Sequence, residues 1–303
     1  MSIGDEKYVT SGGPRLWTER FGDRGHPGVL LIMGTSTQAI GWPDDLVTRL
    51  VRSGRQVIRF DHRDTGRSDY VDFSANPYTL ADMTADALAV LDGHDIDRAH
   101  VVGVSLGGAI GQWLAVHHGA RVRTLTTIMT SPMGNNAGPA WARAMTGQPA
   151  APDELPPPAP RFLRHVVEST QAPRATPEQR IDADLRTWRV LNGEALPFDE
   201  PAARQFVELS HQRTHNPAAA GNHDLAGRQF TAERLAPLSS ITAPTLVIHG
   251  REDPIFATAH AEALAAQVPG ARLHVIEGMG HNLFSPGLPE RIADLIADHT
   301  AAR

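Results

Sequence analysis

Val101-Val-Gly-Val-Ser-Leu-Gly-Gly108 is the stretch on which the reading of this 303-residue chain turns. Within it, Gly103-Val-Ser105-Leu-Gly107 brackets a serine with two glycines. The run before the serine, residues 99–104, is apolar and rich in valine, the signature of a buried strand. The run after it, residues 106–118, has the pattern of a helix. A serine between such a strand and such a helix occupies a sharp turn. Flanking residues without side chains let the two elements approach, and the hydroxyl is pushed clear of the sheet. The Leu106 N–H then falls at a helix N-terminus, where unpaired donors and the helix dipole favour a developing anion. The competing reading is a glycine-rich turn with an idle serine. The strand-before, helix-after context favours Ser105 as a nucleophile.

Outward from this turn the chain alternates short apolar runs with longer amphipathic ones. Strands are expected over residues 16–21, 29–33, 56–60, 99–104 and 122–129, and helices over 43–52, 80–92 and 106–118. That alternation predicts right-handed crossovers and a mainly parallel sheet. The rhythm breaks after about Ser131. A proline cluster, Leu155-Pro-Pro-Pro-Ala-Pro160, excludes helix interior and central strand. Helical patterns follow over 161–169, 177–191 and 201–211. Strands return at 244–250 and 273–276, with helices over 258–267 and 289–299. The expected architecture is therefore an α/β fold: a mostly parallel central sheet, helices on both faces and an inserted helical cap. Residues 1–132 and 237–303 form the core, and 133–236 form the cap.

A serine hydroxyl is a weak nucleophile and needs a base oriented by a third group. After such an elbow the acid comes next in the chain, then the histidine. Thr245-Leu-Val-Ile-His-Gly-Arg-Glu-Asp253-Pro is a strand ending in a turn with Asp253 at its tip. Ile276-Glu-Gly-Met-Gly-His281 ends another strand. Ser105, Asp253 and His281 all follow strand C-terminal ends, where open α/β sheets place their sites. Alone, Asp253 could be a turn residue before Pro254, and His281 a loop histidine at the last helix. Glu252 is the rival for the acid.

These features resemble the α/β-hydrolase superfamily over essentially the whole chain. They are Ile32-Met-Gly34, Asp61-His-Arg-Asp-Thr-Gly-Arg-Ser68, the Ser105 elbow, Gly250-Arg-Glu-Asp253-Pro and Gly278-Met-Gly-His281. Leu31-Ile-Met-Gly34, Gly41-Trp-Pro43 and Arg59–Ser68 resemble more closely the aclacinomycin methylesterase group of polyketide-tailoring esterases, and related antibiotic or macrolide esterases. The resemblance implies a second oxyanion donor in the loop after the first central strand, at Thr35 or Gly34. Met33 stands where a histidine is common, which leaves a backbone donor intact. It further implies hydrolysis of a polyketide methyl ester or a macrolide-like lactone through an acyl-enzyme. Haloperoxidase, C–C bond hydrolase and proline iminopeptidase activities are the alternatives within the fold, and a ligand-binding receptor is the alternative outside catalysis.

Composition narrows the rest. Hydrophobic residues make up 41% and charged residues 20%, which is ordinary globular usage. No apolar run approaches the roughly 20 residues that span a bilayer, and Met1–Lys7 lacks the pattern of a signal peptide. With no cysteine, thiolate catalysis and disulfides are excluded, and a cytoplasmic setting is the simplest expectation. A net charge of −6 without basic stripes argues against nucleic acid. His211 and His215 are four apart and His223 follows, but no H-E-x-x-H pattern accompanies them. They are expected to line or flank the pocket or meet solvent, with no metal or cofactor. Within the Asp61–Ser68 run, Asp61, Arg63 and Ser68 are expected to pair locally and pin a turn. Trp141, Phe162, Trp188, Phe198 and Phe206 are expected mostly to pack inside the cap, with one or two facing the substrate, and the cap should enclose a mid-sized or bulky apolar molecule.

Overall fold

The computed structural model describes residues 4–10, 12–135, 138–228 and 236–301. The first half of the core comprises β1 (Asp5–Thr10), β2 (Arg15–Phe21), β3 (Gly28–Ile32), α1 (Asp44–Arg52), β4 (Gln56–Phe60), α2 (Leu80–Gly93), β5 (Ala99–Val104), α3 (Leu106–His117) and β6 (Val122–Ile128). Among the described residues five α-helices follow: α4 (Gly138–Met145), α5 (Pro160–Gln171), α6 (Pro177–Leu191), α7 (Glu200–Arg213) and α8 (Asn222–Arg228). The core then resumes with β7 (Thr245–Gly250), α9 (Thr258–Gln267), β8 (Arg272–Ile276) and α10 (Leu288–Ala301). The expected end of the insertion, at 236, adjoins residues 229–235, which lie outside the described ones.

The described strands form one sheet in the order β1-β2-β4-β3-β5-β6-β7-β8. β1 and β2 pair antiparallel, as do β2 and β4; the remaining pairs are parallel. The central strand β3 is buried along its whole length, as parallel strands covered on both faces must be. Alternation sends Val29 and Leu31 into the apolar layer under α1 and α10, and Leu30 and Ile32 into the layer under α2 and α3. Both halves of the chain thus complete one sheet.

The inserted helices begin where side chains can satisfy their free N–H groups. Thr176 and Gln179 cap α6 reciprocally at 3.2 Å each, and Asp199 takes the Ala202 N–H at 3.0 Å in α7. Pro177 and Pro201 sit in the first turns, where no N–H is required. The face of α6 and α7 turned to the core packs Leu185, Ala203 and Val207 on Phe284, which comes from the loop after His281. β1, α4 and α8 were not foreseen from the sequence.

Candidate active site

Ser105 occupies the turn between β5 and α3 with φ 52° and ψ −115°, outside the regions an L-residue prefers and costing about 1–3 kcal/mol. Its surroundings enforce this. A Cβ on Gly103 would lie 2.1 Å from the Gly107 carbonyl oxygen, and one on Gly107 would lie 2.1 Å from that of Ile32. The Ser105 backbone is fixed on the neighbouring strand through its N–H to Ile128 O at 2.9 Å and its carbonyl to Thr130 Oγ1 at 2.8 Å.

Asp253 and His281 converge from the ends of β7 and β8. His281 Nδ1 lies 2.7 Å from Asp253 Oδ2, and both side chains are nearly inaccessible. Asp253 Oδ1 accepts the N–H groups of Ile255 at 2.8 Å and Phe256 at 2.9 Å. Burial alone would push this carboxyl up, but the His281 ring, then His249 and the Phe256 N–H, hold it below the usual carboxylate range. A carboxylate only accepts, so His281 donates its Nδ1–H, and the ring in its neutral form carries its lone pair on Nε2. Glu252 turns away: its carboxylate takes the Glu194 and Ala195 N–H groups of the insertion. Among the described residues, then, Asp253 and not Glu252 meets His281.

Ser105 and His281 line one cavity of about 160 Å³, together with Gly34, Thr35, Met129 and Trp188. Their side chains face this space without a hydrogen bond between them among the described residues. Such contacts commonly tighten only around a substrate. The turn and loop hydrogen bonds of the described residues do not use the Gly34, Thr35 or Leu106 N–H groups, so these remain available as donors. The enclosure is smaller than a bulky substrate requires. Trp188, Phe206 and Phe284 stack edge-on or tilted at 5.2–5.5 Å and fill the space beneath α6 and α7. A groove of about 520 Å³ shares Gly41, Leu283 and Phe284 with the cavity.

The insertion is bonded directly to the histidine loop. His281 N–H donates to Leu191 O at 2.6 Å, Asn282 Nδ2 to Trp188 O at 2.9 Å, and Asp199 N–H to Phe284 O at 2.7 Å. Two buried groups that the sequence did not single out also contribute. His249, at the end of β7, lies 3.7 Å from Asp253 Oδ2 and donates Nε2–H to Phe256 O at 2.7 Å. Its signal was its place four residues before Asp253. Arg213, at the end of α7, donates to Asp61 Oδ2 at 2.6 Å and Gln38 Oε1 at 2.9 Å. No local pattern marks that pairing.

The Asp61–Ser68 loop departs from expectation in its partners. Asp61 pairs with Arg213 of the insertion, and Arg63 with Asp86 of α2 at 2.6 and 2.7 Å. The expected local pairing holds in part: Ser68 Oγ donates to Asp61 O at 2.6 Å, and the Asp61 carboxylate also takes the Arg67 N–H at 2.9 Å. His211, His215 and His223 separate, because α7 ends at Arg213 before reaching His215. His211 bonds Asp184 at 2.7 Å, the His215 N–H donates to Tyr70 Oη at 3.1 Å, and His223 is buried against the core. None of them lines the Ser105 cavity. Of Trp141, Phe162, Trp188, Phe198 and Phe206, Trp188 does; Trp141 packs edge-on against Phe162.

Residues 28–288 match the family described as alpha/beta hydrolase fold. A rhodomycin D methylesterase of Streptomyces peucetius is 39% identical to this chain over 298 residues, covering 98% of each. A second rhodomycin D methylesterase, from Streptomyces sp., is similar to the same degree, 39% over 98% of each chain. Among solved structures, a hydrolase from Pseudomonas aeruginosa PA01 aligns with a TM-score of 0.69 at 26% identity, over 98% of each chain.

Proposed function

The chain belongs to the alpha/beta hydrolase fold family and is a carboxylic ester hydrolase; from that premise we propose that it cleaves the methyl ester of a polyketide through a serine acyl-enzyme. The observation that carries the mechanism is the 2.7 Å Asp253–His281 contact opening onto the same cavity as the strained Ser105. The likeness to two rhodomycin D methylesterases supports the substrate class. The size of the cavity, about 160 Å³, supports it too, since it has room for a small ester group and not for a whole polyketide.

In this reaction His281 Nε2 takes the Ser105 proton as Oγ attacks the carbonyl carbon. The carbonyl oxygen becomes an oxyanion held by the N–H groups of Leu106 and of Thr35 or Gly34. Asp253 fixes the tautomer and stabilises the imidazolium. Collapse expels methanol, which receives its proton from His281. Water, deprotonated by the same ring, then releases the free acid and restores Ser105. Residues 133–236 act as the cap that shapes the substrate's surroundings over the core of 1–132 and 237–303. The partner is a small-molecule ester, and the steps as written draw on no cofactor or metal.

Mass spectrometry on a mixed panel of polyketide methyl esters, macrolactones and short acyl esters tests this. Conversion of the methyl ester to its free acid is expected. A macrolactone that gains one water while methyl esters persist would replace the substrate class. Ser105→Ala should lower kcat by several orders of magnitude, up to about a millionfold, with the fold intact by circular dichroism. Retained turnover removes the serine from the mechanism.

A further inference from the structure

The proposed oxyanion hole places one donor in the loop from Gly34 to Gln38, and that loop is not held by its own turn alone. Thr37 N–H donates to Gly34 O at 3.2 Å, and Thr37 Oγ1 to Thr35 O at 3.0 Å. Ser36 then takes a left-handed conformation, φ 54°, which a non-glycine residue adopts at a cost. Its N–H leaves the loop altogether and donates to His223 Nδ1 at 2.9 Å. Its hydroxyl donates to Ala220 O in the same inserted segment.

His223 is 2% exposed. Its other nitrogen, Nε2, lies 2.8 Å from Arg63 O. A carbonyl can only accept, so Nε2 carries the hydrogen and Nδ1 the lone pair. The ring is therefore neutral, in one tautomer, with both nitrogens committed. Burial pushes its pKa down, among the facing groups His62, Arg63, Asp64 and Asp224. The far end of this strut is itself anchored. The Arg63 side chain is locked on Asp86, and Asn222, next to His223, donates to Asp64 Oδ2 at 3.0 Å and Val71 O at 3.1 Å.

We infer that His223 is a positioning residue for ester hydrolysis: accepting the Ser36 N–H on Nδ1 while donating Nε2–H to Arg63 O, it fixes the peptide that follows Thr35 and so aims the oxyanion donor at Ser105. The geometry leaves little slack. The peptide plane before Thr35 is tied through Gly34 O to Thr37, and the plane after it through Ser36 N–H to His223. Thr35 is clamped between two fixed planes. The inserted segment thereby supports the catalytic chemistry from a residue that does not line the cavity. This inference rests on the proposed serine esterase mechanism.

Two isosteric replacements separate the functions of the two nitrogens. His223→Gln keeps a donor near Nε2 and removes the acceptor for Ser36; His223→Asn keeps an acceptor near Nδ1. On a polyketide methyl ester, His223→Gln should lower kcat about 100-fold, the scale of a misplaced catalytic group, with KM within about twofold. Its affinity for a trifluoromethyl ketone analogue, which forms an oxyanion on Ser105, should fall in parallel. His223→Asn should recover both to within about fivefold of the parent. Wild-type kcat and analogue affinity in a folded His223→Gln, beside an inactive Ser105→Ala, overturn the strut alone. An active Ser105→Ala overturns the esterase mechanism and the strut with it. Should His223→Gln not fold, long-range 1H–15N correlation on the unaltered protein decides the point. Nδ1 must be unprotonated and Nε2 protonated; the opposite tautomer or a charged ring at neutral pH overturns the assignment.

Discussion

At the scale of single residues, two neighbouring carboxylates divide the work by direction alone. Asp253 points into the core and meets His281 at 2.7 Å, while Glu252 points outward and caps the Glu194–Ala195 turn. Asp253→Asn would offer the ring an amide in place of a charged acceptor. The wrong tautomer would then be populated, and kcat should fall about 10⁴-fold. Glu252→Gln should leave kcat within about threefold and lower stability by only about 1 kcal/mol, the cost of a weakened cap. Steady-state kinetics on a methyl ester with parallel melting curves checks both, and the reverse ranking would move the acid to Glu252. Sequence order located the serine, the acid pair and the histidine because each follows a strand end marked by glycine. It favoured Asp253 and kept Glu252 as the rival, since adjacent side chains on a turn diverge in a way only the fold sets. His223 carried no readable signal. Its partners, Ser36 and Arg63, are 187 and 160 residues away.

Among elements, the join between insertion and core is polar at its deepest point. Arg213 at the end of α7 is 8% exposed and Asp61 0%. Asp61 also accepts the Ala39 N–H at 2.8 Å and the Arg67 N–H at 2.9 Å. Arg213→Met would remove one charge of a buried pair and strand the other, at a cost of about 3–5 kcal/mol. Adding Asp61→Asn to it should recover part of that loss, because the stranded charge is gone. Denaturant unfolding of the single and double variants measures this; a double variant as unstable as the sum of its singles would mean that the two side chains act independently. Local patterning could not foresee the pair, since a charged run such as Asp61–Ser68 reads equally well as a self-contained turn. Periodicity did well where burial imposes it: β2 to β8 and the long helices lie within one or two residues of expectation. It failed at β1, an edge strand whose sequence Asp-Glu-Lys-Tyr-Val-Thr buries only Val9. It failed also at α4 and α8, eight and seven residues long, which are too short for an apolar stripe to repeat.

For the molecule as a whole, the core encloses histidines that the reaction does not use. His62, His94 and His100 are 0%, 5% and 0% exposed. Each has one ring nitrogen hydrogen-bonded and the other buried without a partner among the described residues. Burial, reinforced by nearby cationic groups, lowers their pKa to about 3 for His62 and about 4 for His94 and His100. In the unfolded chain the same rings titrate near 6.5. Folded pKa values lie below unfolded ones, so above about pH 6.5 neither state is protonated and no stability is at stake. As the pH falls from there toward 4, the unfolded chain binds protons that the native core refuses, and stability drains away. Each ring contributes a slope of about 1.4 kcal/mol per pH unit. Three together give about 4 kcal/mol per unit, against a total stability of about 5–15 kcal/mol for a typical domain. The protein should therefore unfold between about pH 5 and 4, before most exposed carboxylates titrate. Urea unfolding at half-unit steps from pH 7 to 4.5 should show a flat upper region and then this slope. His100→Asn, which preserves an acceptor for Thr124 near Nδ1, should reduce the slope by about one ring's share, about 1.4 kcal/mol per unit. A slope below about 1.4 kcal/mol per unit would mean that the native core admits these protons, and that the unpartnered ring nitrogens find water or a second conformation.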